Sequence, residues 1–170
     1  PDAARDVLAT VRRRVPPGQD MYAMAAIEAS FAFFGRDPQT AVAVGLDALR
    51  SEILPTAAVW AALATSGALA LSGRFAEVPE IAEIGSRAAE LCESGPLRYA
   101  LGFTEIFGLT GSGDLAGAER VCRRYTTMTS GVPQAEAIVN ALNGRVQLAR
   151  GALTPACDQL QRSLWAMSGS

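Results

Sequence analysis

Two carboxylates, Glu28 and Glu105, each interrupt an otherwise apolar helical stretch, the setting in which a buried acid and base can be tuned apart for proton transfer. Neither has a second carboxylate three or four residues away, and nothing near them carries metal-ligand spacing. The chain contains no histidine, which removes imidazole bases, His-ligated metals and His proton relays together. Cys92, Cys122 and Cys157 lie far apart among Leu, Val and Ala with no C-x-x-C pairing, so they read as small buried hydrophobes rather than nucleophiles. Arg98 and Arg145 are long cations on apolar helices, suited either to an anionic group on a ligand or to an ion pair with a neighbouring helix. The run from Gly111 through Gly113 to Ala116 satisfies a loose G-x-G-x-x-A dinucleotide pattern, but no β-branched run follows Thr129 to supply the second strand such a unit needs. The expectation is a protein with no catalytic, cofactor or metal site.

Composition narrows the partners. Fifteen arginines against seventeen acidic residues give a net charge of −2, which offers a polyanion little attraction. The clusters Arg12 to Arg14 and Arg123-Arg124 fall at helix ends, where cations complement the carboxyl-end dipole. Direct nucleic-acid binding is therefore not expected. The charge-free run 53–73 is long enough to span a bilayer, yet it is mostly alanine and carries Pro55, Thr56, Thr65, Ser66 and Ser72. A helix buried on nearly all sides accounts for it better than a membrane span. With no secretory signal pattern at the start, the cytoplasm is the expected location.

The elements that hold these residues repeat. Gly35, Gly73, Gly113 and Gly151 each follow an Ala-rich apolar stretch, at spacings of 38, 40 and 38 residues, and each precedes a more charged helical pattern. The unit is helix, tight turn, helix, with glycine taking the left-handed turn conformation. Helices are predicted over 21–34, 38–51, 56–72, 75–93, 96–109, 114–128, 133–150 and 154–167. Asp37-Pro38 and Thr154-Pro155 supply cap-then-proline starts, Pro79 falls in a first turn, and Ser130-Gly131-Val132-Pro133 punctuates. Ala4, Val7, Leu8 and Val11 match the register of a second helix, so the chain opens in mid-repeat. The prediction is one all-α domain over 1–170, a half repeat at 1–18 and whole repeats at 19–54, 55–94, 95–131 and 132–168, about nine helices cut from a longer chain. Stacked hairpins would cover each other's apolar flanks, with Phe31, Phe34, Leu46, Trp60, Leu69, Ile81, Leu91, Phe103, Phe107, Val121, Ile138, Leu142, Leu160 and Leu164 filling the layers between.

The fourth unit, from Asn143 through Gly144, Gly151 and Ala156, resembles a tetratricopeptide repeat: Gly144 matches the small residue of the first helix, Gly151 the turn glycine and Ala156 the small residue at the helix contact. Gly113 and Ala118 repeat the last two, whereas Thr40 and Val78 stand where alanine is usual. Over nearly its whole length the chain resembles the helical-repeat region of large bacterial LuxR-type regulators of the MalT-like class. That resemblance implies a right-handed α-solenoid placed between an ATP-binding module and a DNA-binding helix-turn-helix. It further implies a non-enzymatic sensor that receives a small-molecule effector or a regulatory protein in its groove and relays to the other domains of its own polypeptide. It makes Tyr22, Phe33, Trp60, Arg98, Glu105, Ile138, Ala141 and Arg145 candidates for the concave side, to which Glu28 is added as an acid interrupting the same class of helix. The alternative is a free-standing helical-repeat adaptor that joins other proteins.

Overall fold

The computed structural model of the chain describes residues 2–14, 18–129 and 131–168. The punctuation expected at Ser130 and the side chain of Ala4 lie outside the described set. Among the described residues there are nine α-helices and no strand: α1 (Asp2–Arg12), α2 (Gln19–Phe34), α3 (Pro38–Leu49), α4 (Pro55–Leu71), α5 (Val78–Leu91), α6 (Gly95–Ser112), α7 (Leu115–Thr129), α8 (Pro133–Ala149) and α9 (Leu153–Ser168). A 3-10 turn at Phe75–Glu77 leads into α5, so this helix begins three residues later than its periodicity predicts, with Pro79 in its first turn.

The helix ends are set by local chemistry. Asp37 caps α3, its Oδ1 accepting the Thr40 amide at 3.2 Å ahead of Pro38. Asp114 does the same for α7, accepting from the Gly117 amide at 2.8 Å. Thr154 does not cap α9: the helix already starts at Leu153, and Pro155 sits inside the first turn where its missing amide costs nothing. At the carboxyl ends of α2, α4, α5 and α8 the chain closes by paired backbone hydrogen bonds around one left-handed residue. In α4 these run from Gly73 to Ala70 and from Arg74 to Leu69. That residue is Gly73 or Gly151 in two cases, but Arg36 (φ 62°) and Glu93 (φ 53°) in the others. Gly35 itself stays at φ −75°, so the first turn of the periodic series moves one residue on from its glycine.

Packing follows chain order. The helices α2, α4, α6 and α8 touch one another in succession, and each of α3, α5 and α7 wedges between the members of that row before and after it. Among the described residues the backbones of α3, α5, α7 and α9 stay apart, α5 and α7 meeting through side chains such as Glu83 and Arg124 at 3.9 Å, while α1 packs only on α2 and α9 only on α8. The alanine-rich α4 is buried along Ala58, Val59, Ala61, Ala62, Ala64, Thr65, Ser66, Ala68 and Leu69 because α2, α3, α5 and α6 surround it. It accounts for the charge-free run 53–73, and no helix among the described residues is long and apolar enough to cross a membrane. Small residues permit the close approaches: a Cβ on Gly85 would lie 2.6 Å from Ala62 Cβ, and one on Gly102 would strike the Tyr125 ring.

One core joins α3 to α6 around Val42, Val59, Leu69, Val78, Ile81 and Leu101, and a second joins α6 to α8 around Ile106, Val121, Cys122, Tyr125, Leu142 and Val146. Fully burying a side chain of this size contributes about 1.5–3 kcal/mol. Of the residues expected between layers, Leu69, Ile81, Val121 and Leu142 are buried, while Phe34, Leu91 and Leu164 are mostly exposed and Phe31, Trp60, Phe103 and Ile138 about half exposed. Phe34, Trp60, Phe103 and Ile138 instead border a recess, and Leu164 lies on the outer side of α9 where no other helix packs. Cys157 is likewise exposed on α9, contrary to its expected burial, and Cys92 is partly buried; only Cys122 is a core thiol.

Candidate ligand-binding groove

Four helices turn one face each toward a common recess of about 770 Å³. From α2 come Ser30, Phe33 and Phe34; from α4, Trp60, Leu63, Ala64 and Gly67; from α6, Tyr99, Phe103, Thr104 and Phe107; and from α8, Ile138 and Ala141. The spacings of three and four within each helix are those of one helical face. Gly67 makes room for an aromatic wall, since a Cβ there would stand 2.7 Å from the Phe33 ring. The rings are mutually supported, with Phe33 edge-on to Phe34 at 5.2 Å between centroids and Phe103 stacked on Phe107 at 6.4 Å. No lining residue is acidic, basic or a thiol. From α9, Ser163 and Met167 close one side. Ser163 is fully buried, yet its Oγ has no hydrogen-bond partner among the described residues.

The structure brings Phe33, Trp60, Ile138 and Ala141 together in this lining. Arg145 lies one turn beyond Ala141 on the same face of α8, its guanidinium carbon 4.0 Å above the centroid of the Phe107 ring. The other charged candidates turn elsewhere. Glu28 faces α1 and accepts from Arg12 Nη1 at 2.9 Å, at a smaller recess of about 330 Å³ between the two helices. Arg98 pairs with Glu90 at 2.6 Å and donates to Met128 Sδ at 3.8 Å, and its backbone carbonyl accepts from the Tyr125 hydroxyl at 2.9 Å. Glu105, 7% exposed, accepts from Arg124 Nη2 at 2.7 Å on the side of α6 that meets α7. Burial raises its carboxyl above the ordinary range, Arg124 pulls it back, and Glu83 adds a smaller upward push. Tyr22 is half-buried on α2, outside the lining.

Tyr99, Phe103 and Phe107 are functional candidates that the sequence reading assigned to packing or passed over. Their spacing of four along α6 forms an aromatic stripe legible in the sequence, but spacing alone does not tell a stripe facing a core from one facing a groove. The dinucleotide-like pattern dissolves in the structure: Thr104 to Thr110 are helical, Gly113 ends α6 at φ 85°, and Asp114 caps α7. Burial pushes the Cys122 thiol up to about 12, with Glu119 adding to the shift, so at neutral pH it is no nucleophile. Among the described residues no group of three His, Cys, Asp or Glu is placed to hold a metal ion. No family model, curated protein or solved structure matches the chain.

Proposed function

We propose that the chain is a non-enzymatic binding scaffold, a right-handed α-solenoid of tetratricopeptide-like hairpins whose concave face receives an apolar effector. The observation that carries this reading is the recess of about 770 Å³ bordered by four alternate helices and walled by aromatic and aliphatic side chains with no carboxylate, cation or thiol. That volume and chemistry are those of a small-molecule site, and they lack the convergent acids and bases that catalysis needs. The solenoid reading is supported by packing that reaches no further than two helices along the chain. A row of closely packed helices, α2, α4, α6 and α8, beside a row whose backbones stay apart is what a curved stack with the first row inside would give. Gly144 supports the repeat comparison, since a Cβ there would stand 2.7 Å from Leu160 Cγ and hold α8 off α9.

In this proposal the scaffold is the sensor region of a cytoplasmic, multidomain transcriptional regulator, a role that rests on the resemblance to LuxR-type, MalT-like proteins. An effector would act by binding one curvature of the stack more tightly than another. Two measurements test the two levels. Trp60 borders the recess, so in a Trp165→Phe background an uncharged apolar fluorophore such as N-phenyl-1-naphthylamine is expected to quench or blue-shift its emission, and Phe103→Asp to abolish the effect. For the regulatory role, a longer polypeptide carrying this segment is expected to lose its effector response when 19–168 are deleted; an unchanged response would remove it. A second reading, an adaptor that joins another protein, is favoured by Leu164 and Trp165, both about two-thirds exposed on α9. Cross-linking through α9 to a protein partner with the recess left open would select it.

A further inference from the structure

Arg145 differs from the other arginines of the fold. Among the described side chains only Arg98 and Arg145 are half-buried arginines; the rest are exposed. Arg98 has Glu90 at 2.6 Å, whereas Arg145 makes no ion pair and no hydrogen bond among the described residues, and its Nε is buried without a partner. Its one contact of note is the Phe107 ring beneath it, and Phe107 is a wall of the recess. Taking a guanidinium partly out of water without a carboxylate is unfavourable. Stacking on a ring occupies only the flat face of the group, leaving its edge donors free for a bidentate acceptor.

A second orphan lies on the recess that Phe107 walls. Ser163 is 1% exposed, borders the cavity from α9, and its hydroxyl has no partner among the described residues. Native interiors seldom leave such groups unmatched. A cavity whose body is carbon, with an unpaired cation over one wall and an unpaired hydroxyl in another, matches an occupant of the same make-up. We infer that the groove binds a small amphipathic carboxylate, its hydrocarbon or aryl body among Phe33, Trp60, Tyr99 and Phe103, its carboxylate held by the edge of the Arg145 guanidinium. This inference rests on the groove being a binding site and adds the charge and class of the ligand. The charge argument favours a free organic acid: the lining carries no acid to oppose it, since the buried carboxylate of α6, Glu105, is paired with Arg124 on another face. The volume lies within the range of about 300–1,000 Å³ typical of small-molecule sites.

The test compares decanoate with decanol on the whole chain, read by Trp60 emission in the Trp165→Phe background and by titration calorimetry. Decanoate is expected to bind about tenfold or more tightly than decanol, the difference of a charge-assisted hydrogen-bonded pair. Arg145→Gln is expected to bring decanoate down to the decanol value while leaving decanol unchanged, which also shows that the variant is folded. Arg145→Lys, which keeps the charge but loses the fork, should restore only part of the difference. Equal binding of the two probes, or an Arg145→Gln variant that keeps the preference, would overturn the carboxylate assignment while leaving the apolar groove intact. Binding of neither probe would remove the groove reading itself. Displacement of decanoate by an amphipathic helical peptide lacking any acidic group, at equal affinity in Arg145→Gln, would assign the surface to a protein segment instead.

Discussion

Glu28 and Glu105 looked equivalent in sequence, each a lone acid in an apolar helix, and the structure separates them. Glu28 reaches an exposed arginine on α1, a pairing of small energetic consequence. Glu105 is enclosed, and burial lifts its carboxyl above its ordinary value near 4.5 despite Arg124. The native state therefore holds a proton more tightly than the unfolded chain does. The stability this group contributes is complete below about pH 4.5 and is lost as the pH climbs through the raised native value. In Glu105→Gln that titration is gone, so the melting temperature of the variant minus that of the wild type is expected to increase from pH 4.5 toward neutrality in calorimetry. A difference that stays flat would show that Glu105 does not titrate in this window. The thiols make a second residue-level prediction: Ellman's reagent at neutral pH should modify exposed Cys157 promptly and buried Cys122 only after denaturation. Neither outcome was legible in the sequence, because both depend on which neighbouring helix covers a face. Composition did carry the absence of histidine, and with it the exclusion of imidazole chemistry.

The helices themselves were largely legible, since Ala-rich runs, prolines in first turns and glycines after the last turn each have a local cause. Gly73, Gly113 and Gly151 take the left-handed conformation as expected, but in the first turn that position falls on the residue after the helix cap, so Arg36 occupies it while Gly35 stays right-handed. Glu93 occupies another with no glycine beside it on the helix side. A side chain at positive φ is strained, so Glu93→Gly is expected to stabilise the fold by about 0.5–1 kcal/mol in urea titration. Close approaches give the opposite prediction. Gly102→Ala would drive a methyl group into the Tyr125 ring, between α6 and α7, at a cost of about 1–3 kcal/mol by the same measurement. The aromatic stripe Tyr99, Phe103 and Phe107 shows where reading elements from sequence ends: the spacing fixes a face but not what the face looks upon.

At the scale of the molecule, every packed pair of helices among the described residues joins elements one or two places apart in the chain, and the first helix does not pack on the last. The periodicity near 38 residues leads to the same expectation, because a repeat that stacks only on its neighbours needs nothing more distant. Enclosure is greatest at α4 and least at α1 and α9, each of which meets a single helix. Amide hydrogen exchange is expected to be slowest in α4 and α5 and fastest at the two ends, with probes in α2 and α9 losing structure at different urea concentrations rather than together. A single coincident transition across all helices would contradict that. With no packing between distant helices among the described residues, tension applied to the two ends would be carried in series, one helix pair after another. The chain should yield at low force by peeling from the outside, and wind itself back quickly, because each turn regained needs only the one already beside it.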